Sequence, residues 1–273
     1  MAYGTNLAGN VVALTRFEAV ESTTMTDSRG SDDSVSSAQA RYDALRSVTP
    51  EHPCPYLPGR MARNEVYWTD DLDGSTYERL LGRGFRRSGR VVYRPRCRSC
   101  QECRQIRIVV DRFKASRSMR RVIRRNSDVA VEIDRGSARA TDEKFDIYQR
   151  YLDAQHDGSM ERTYESFRDF LCDSPIEGIE FRYRLGTRLI AVSVTDRCEK
   201  GLSSVYTYFD PAFRDRSLGT YSVLSEVEFC RSEGLRYYYL GYYVANCSSM
   251  NYKARFRAHE ILVDNDRWLS FPE

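Results

Sequence analysis

The order of strand-like and helix-like runs in the C-terminal half restricts the fold of this 273-residue chain more than any other feature. Residues 179–185 and 188–195 read as strands joined by a turn at Gly186-Thr187, and residues 203–209 read as a third. A loop, 210–216, leads into a helical run, 218–232, and 236–241 reads as a further strand. A strand, a helix and a strand in succession close a right-handed crossover, which makes the two strands parallel in one sheet. Their C-terminal ends then open on one side. Asp210 and the segment after Gly241 are expected to emerge together there, at the edge where open sheets bind ligands. Elsewhere the sequence predicts a helix over 73–81, ended by Gly82 and Gly84, and strands over 89–94, 106–110 and 129–133. Helices are expected over 116–126, capped by Ser116, and over 142–154 and 164–171.

Charge is the second constraint. The net charge is only +3, yet residues 82–125 hold sixteen Arg or Lys against two acids, Glu102 and Asp111. That segment carries +14, so the rest of the chain carries −11. Positive charge gathered in one place, nearly all of it Arg, suits a phosphate-rich partner. In helix 116–126, Met119, Val122 and Ile123 fall at i, i+3 and i+4 as an apolar stripe. Arg117, Arg120, Arg121, Arg124 and Arg125 fill the other face, where like charges repel unless phosphates neutralise them. A solvated basic face without a partner is the plainer alternative.

The composition, 41% hydrophobic and 30% charged, is that of a globular chain. No apolar run approaches the roughly 18 residues of a membrane span, so no membrane partner is expected. The N-terminus has no basic segment followed by an apolar one, as a secretory signal would. A cytoplasmic location follows, and there the eight cysteines are expected as thiols or metal ligands. Residues 1–48 read as a disordered tail, since the stretch 21–37 offers almost nothing to bury. Residues 49–127 form a cysteine-containing basic region, and 128–273 a C-terminal domain.

Cys97-x-x-Cys100-x-x-Cys103 sets three thiols at metal-ligand spacing, and Cys54, in a Pro-punctuated loop, is the candidate fourth. Four thiolates suit zinc or an iron–sulfur cluster, and spacing does not choose between them. Reduced cysteines without a metal are the alternative. Cys172, Cys198, Cys230 and Cys247 lack such spacing and read as small buried hydrophobes.

The loop after residue 209 carries Arg216-x-x-Gly219 at a helix start, where free N–H groups favour an anion or an oxyanion. Tyr238 and Leu240, in the Tyr-rich run 237–243, read as core. Lys253 is one of four Lys and is flanked by aromatics and Arg. His52, His156 and His259 fit no catalytic or metal pattern. No G-x-S-x-G, Walker or H-E-x-x-H motif is present, so catalysis through a serine nucleophile is unsupported.

The element order from residue 129 onward resembles the acyl-CoA N-acyltransferase fold typified by GCN5-related N-acetyltransferases. This implies an α+β fold with an acyltransferase-like C-terminal domain. The corresponding loop in that fold holds a cofactor pyrophosphate and is richer in Gly, so the single Gly219 argues against coenzyme A.

Several motifs resemble a narrower family, the arginyl- and leucyl-tRNA–protein transferases of the N-degron pathway. They are Cys54-Pro55-Tyr56-Leu57-Pro58-Gly59-Arg60, Gly84-Phe85-Arg86-Arg87-Ser88-Gly89, Tyr93-Arg94-Pro95 and Ser116-Arg117-Ser118-Met119-Arg120-Arg121. The second half adds Tyr206-Thr207-Tyr208-Phe209-Asp210-Pro211, Ser217-Leu218-Gly219-Thr220, Tyr239-Leu240-Gly241-Tyr242-Tyr243 and Met250-x-Tyr252-Lys253-x-x-Phe256. The match spans roughly residues 50–262. Ala258 stands where the family commonly has Pro. The opening motif and clustered cysteines are most similar to the aspartate/glutamate leucyltransferase branch, which puts leucine ahead of arginine as donor.

The resemblance implies transfer from an aminoacyl-tRNA ester to the α-amine of an N-terminal Asp or Glu. Such a reaction needs orientation, oxyanion stabilisation and a base, but no acyl-enzyme and no cofactor. It implies Asp210 near the acceptor ammonium, with Tyr252 and Lys253 at the ester or the acceptor carboxylate. Arg86, Lys253 and Arg255 are the cations for that carboxylate. The Arg117–Arg125 helix, with Ser217 and Gly219, is the tRNA surface. A coenzyme A-dependent acyltransferase and an RNA-binding metal module are the competing readings.

Overall fold

The computed structural model describes residues 46–155 and 161–270. The expected tail lies outside the described residues except at its end, and His156 lies outside them too. Strands run from Ser47–Val48 (β1), His52–Pro53 (β2), Met61–Ala62 (β3) and Asn64–Trp68 (β4) to Arg86–Ser88 (β5) and Val91–Pro95 (β6). β1, β4, β6 and β5 form an antiparallel four-stranded sheet in that order, and β2 pairs with β3. The β5–β6 turn needs a glycine. Gly89 has φ +56°, and a Cβ there would sit 2.5 Å from the Asp169 carbonyl oxygen. Gly74–Gly82 (α1) is capped by the Asp73 carboxylate, which accepts from the Ser75 and Thr76 amides at 3.0 and 2.9 Å.

The larger sheet has eight strands: Arg104–Val109 (β7), Val129–Arg135 (β8), Gly178–Leu185 (β9), Arg188–Arg197 (β10), Gly201–Phe209 (β11), Tyr237–Tyr243 (β12), His259–Asp264 (β13) and Arg267–Ser270 (β14). Their order is β14-β13-β7-β12-β11-β10-β9-β8, antiparallel throughout except for β11 and β12. The fold is thus mixed α/β with a large, mostly antiparallel sheet. β7 is an interior strand of this sheet, so the boundary between sheets falls between β6 and β7 and not at residue 128.

Helices cover both faces. Arg117–Arg125 (α2) is capped by Ser116, whose Oγ accepts from the Met119 amide. Asp142–Gln155 (α3) and Tyr164–Leu171 (α4) pack Tyr148, Tyr151, Phe167 and Phe170 against Tyr206 and Tyr208 of β11. Thr207, between those tyrosines, points to the other face. It bonds Ser193, which bonds Glu226 of Leu218–Ser232 (α5). One expected core residue is not in the core: Ile123 of α2 is 43% exposed, while Met119 is buried and Val122 half-buried. The helix rests on one apolar edge narrower than the expected stripe.

Glu226 is fully buried and accepts hydroxyls from Tyr183, at 3.4 Å, and Tyr238. Burial pushes its carboxyl up to about 7, against the pull of those hydroxyls. A raised carboxyl favours the fold while protonated. That stability is present below the unfolded value and is lost as pH rises through about 7. Glu226→Gln should remove the loss, improving the variant relative to wild type between pH 5 and 8.5 by up to about 3 kcal/mol. Melting curves across that range test this, and parallel pH profiles would refute it.

The two sheets are stitched by consecutive arginines of β5. Arg87 forks Asp196 of β10, with Nε donating at 2.8 Å to Oδ2 and Nη2 to Oδ1. Arg86 donates to Ser203 Oγ at 2.8 Å and to the Ser204 carbonyl of β11. Both arginines are buried. The local excess of charge at 82–125 therefore overstates what a partner can meet.

Candidate active site

The strand–helix–strand unit forms, but its strands pair only briefly. β11 and β12 are parallel across Gly201↔Tyr237, Leu202↔Tyr238 and Ser203↔Tyr239, and then part. An interior strand is ordinarily buried, yet Ser204, Val205, Tyr206 and Thr207 are all half-buried. The gap opened beyond Ser203 is therefore reached by solvent. Register shifts flank it, one leaving Val205 extra in β11 and one leaving Leu240 extra in β12. Such bulges bend a strand and re-aim its side chains. Gly241, just past the second bulge, has φ +90°. A Cβ there would meet Arg86 Cζ at 3.5 Å and Lys253 Nζ at 3.6 Å.

Lys253 lies in a short helical turn, Tyr252–Arg255, and its buried Nζ donates to the Tyr242 carbonyl at 2.6 Å. Burial, and then the Arg86 guanidinium, push its ammonium down to about 7. Tyr252 is half-buried beside it, and Arg255 is exposed on the same turn. Of the expected residues, Arg86 and Lys253 thus meet at the gap, with Tyr252 and Arg255 on the turn that carries Lys253. The Arg86 guanidinium also spends two of its donors on β11.

Asp210 does not join them. Its carboxylate is 2.6 Å from Arg150 Nη1 of α3 and 2.7 Å from Arg188 Nη2 of β10, and it accepts from the Ala212 amide. Burial raises its carboxyl, but the Ala212 amide and the two guanidinium groups outweigh this and hold it below the usual range. The expectation assumed strands that stay together to their ends. Because they part after three pairs, β11 delivers Asp210 to α3 and β10, where Arg150 and Arg188 hold its carboxylate.

The basic helix and the loop before α5 form one surface. Arg117, Arg120, Arg121, Arg124 and Arg125 are all exposed. Arg125 donates to the Asp215 carbonyl, Asn126 Nδ2 to the Arg216 carbonyl at 2.9 Å, and Arg216 forks Asp128 at 2.7 and 2.9 Å. Ser217 is left-handed, at φ 56°, and its side chain makes no cap to α5, while Gly219 is half-buried in the first turn. The five arginines and the start of α5 are therefore neighbours.

Cys54, Cys97, Cys100 and Cys103 are all half-buried around a cavity of about 500 Å³. Burial pushes the Cys103 thiol up, and Cys54, Cys97, Cys100 and Cys247 are near enough to add to this. Cys100 Sγ accepts from Arg60 at 3.2 Å. The donors suit zinc or a cluster in kind, four sulfurs from two loops. Among the described residues, though, no three Cys, His, Asp or Glu side chains stand as a ready-made ligand set.

Residues 52–121 match the family model of the N terminus of arginine-tRNA-protein transferase, and residues 143–263 match that of its C terminus. Together they take in the cysteines, most of α2, the gap and Lys253. A protein named aspartate/glutamate leucyltransferase from Hahella chejuensis is 41% identical over 226 residues, 82% of this chain and 95% of its own. The chain belongs to the arginine-tRNA-protein transferase family. A Stenotrophomonas maltophilia relative of the same name is 42% identical over 85% of this chain and 95% of its own. A solved structure of FemX overlaps 75% of this chain and 81% of its own at a TM-score of 0.39 and 8% identity.

Within this family member, the sequence reading missed Ser203, the Tyr242 carbonyl and the Leu240 bulge beside Gly241. A lone Gly inside an aromatic strand was the available signal, since it often marks a bulge or a close approach. Ala258, where the family commonly has Pro, has φ 62°, a value closed to proline.

Proposed function

We propose that this chain transfers leucine from leucyl-tRNA to the N-terminal Asp or Glu of acceptor proteins, marking them for the N-degron pathway in the cytoplasm. The observation that carries this is the near full-length likeness to relatives named aspartate/glutamate leucyltransferase. Two features support it. The exposed arginines of α2 beside the start of α5 suit tRNA phosphates, and buried cations at a solvent-reached gap suit an acidic acceptor. No described helix is long and apolar enough to cross a membrane.

The C-terminal half fits an N-acyltransferase-like fold of the GCN5-related kind, because its crossover strands splay at the gap where donor and acceptor would meet. Tyr252 would line the ester, and Arg255 would add its charge for the acceptor carboxylate. The chemistry requires no cofactor. Cys54, Cys97, Cys100 and Cys103 would hold zinc or an iron–sulfur cluster, which would tie the Pro-rich loop to the segment before β7. Incubation with labelled leucyl- or arginyl-tRNA and peptides beginning with Asp, Glu or Ala tests the reading. Leucine should pass to the Asp and Glu peptides at least tenfold faster than to Ala. Transfer of arginine alone would reverse the donor, and equal labelling of the Ala peptide would sink the acceptor.

A further inference from the structure

Where β11 and β12 part, a side chain from the other sheet stands at the opening. Arg86 of β5 is 6% exposed and forms no ion pair among the described residues. Its Nη1 donates to Ser203 Oγ at 2.8 Å, and its Nη2 donates to the Ser204 carbonyl, one residue beyond the last β11–β12 pair. The same Nη2, and Cζ beside it, stand 3.5 Å from where a Gly241 side chain would begin on β12. One guanidinium therefore touches both strands just past the point where their ladder stops. A carbonyl of an interior strand ordinarily takes its donor from the next strand, about 4.7–4.9 Å away. Here the donor is a side chain, and Gly241 lies against it. The two bulged residues bracket this contact, since Val205 follows Ser204 and Leu240 precedes Gly241.

Arg86 is itself firmly held. Its neighbour Arg87 forks Asp196, which stands opposite Ser203 across β10 and β11, so consecutive arginines grip both members of one cross-strand pair. A residue needed only to fill space would be apolar, because a buried cation without an acid is unfavourable.

We propose that Arg86 is a wedge, a positioning residue that replaces a β12 donor to the Ser204 carbonyl and so keeps β11 and β12 apart. The gap is then set by the small sheet, and not by the crossover that joins the two strands. Gly241 belongs to the same device. Without a Cβ it lets the guanidinium lie against β12, and its φ of +90° is one that glycine adopts readily. The consequence for turnover rests on the leucyl-transfer reading, in which donor ester and acceptor amine meet in this gap. Strands that moved together by about 1 Å would misplace them, which can slow a reaction about 100-fold.

Arg86→Ala removes both the donors and the bulk. In its crystal structure the parallel ladder should continue past Ser203↔Tyr239, and residues 204–207 should become buried. Arg86→Lys keeps the charge but lacks the planar fork that holds Ser203 and Ser204 together. Both variants should bind tRNA like wild type and lose at least about 100-fold in kcat on an Asp-starting peptide, with little change in KM. A cation that served only the acceptor carboxylate predicts otherwise: the Lys variant stays active to within about tenfold, and the Ala variant loses through KM. Ser203→Ala removes one of the two contacts and leaves the buried charge in place, so it carries the test if Arg86→Ala does not fold. It should lower kcat by up to about tenfold, and unchanged kcat would count against the wedge. An Ala variant whose strands part where those of wild type do, or a Lys variant with near wild-type kcat, would overturn it. Wild type that transfers no leucine would strike the leucyl-transfer reading alone, since the two crystal structures still decide whether Arg86 holds the gap.

Discussion

Asp196→Ala should lower the unfolding free energy of this protein by about 3–5 kcal/mol. Asp196 and Arg87 side chains are 0% and 1% exposed, and their fork joins β10 of the large sheet to β5 of the small one. Arg87 Nη1 also donates to the Gly89 carbonyl at 3.3 Å, so the guanidinium is fixed on both sides. Removing only the acid leaves a buried cation without a counter-charge, a loss of about 3–5 kcal/mol. Whole proteins are stable by about 5–15 kcal/mol, so this loss is a large share of the total. The pair itself contributes less than this figure suggests, because burying both charges was costly in the first place. Arg87→Met combined with Asp196→Leu should therefore recover most of the loss. Urea unfolding of the wild type, the single variant and the double variant measures this. A single variant within 1 kcal/mol of wild type would show that the charges are not dry. A double variant as weak as the single one would show that the fork's geometry matters more than the stranded charge.

Those two residues also mark the limit of what the sequence disclosed. The runs at 179–185, 188–195, 203–209 and 218–232 were legible because each is long and its period matches its structure. The crossover was legible because chain handedness leaves one solution. Arg86 and Arg87 were counted with the basic surface, since charge composition cannot distinguish a guanidinium that faces solvent from one forked by an acid 109 residues away. The ion pairs of Asp210 were hidden in the same way. Its partners, Arg150 and Arg188, come from a helix and a strand whose approach no local pattern encodes. β13 and β14 were not foreseen, and neither was β4, whose strand is made only by pairing with β1 and β6. Lys253 and Gly241 were visible as residues. Their meeting with Arg86 is a product of the gap between β11 and β12, and that is tertiary.

The exposed arginines of α2 should show the opposite balance, costing the free protein stability while serving its partner. Arg117, Arg120, Arg121, Arg124 and Arg125 are exposed on a nine-residue helix with no acid in its first turn. Arg120 and Arg124, and Arg121 and Arg125, are i,i+4 pairs of like charge, each unfavourable by about 0.2–0.5 kcal/mol. Replacing Arg120, Arg121 and Arg124 with Gln should therefore leave the melting temperature unchanged or slightly higher. On tRNA the same change removes three phosphate contacts. Each contributes about 0.7–0.9 to the slope of log K against log salt, so the slope should flatten by roughly two units or more. The affinity gap from wild type should then shrink by more than about tenfold between 0.05 and 0.2 M salt, because the wild type loses its counterion-release advantage as salt rises. A solvated face with no partner predicts the rise in stability but no change in slope. Binding isotherms at four salt concentrations, beside melting curves of the free protein, separate the two. Equal slopes in the variant and the wild type would reduce α2 to a charged surface, and the start of α5 would have to hold the tRNA without it.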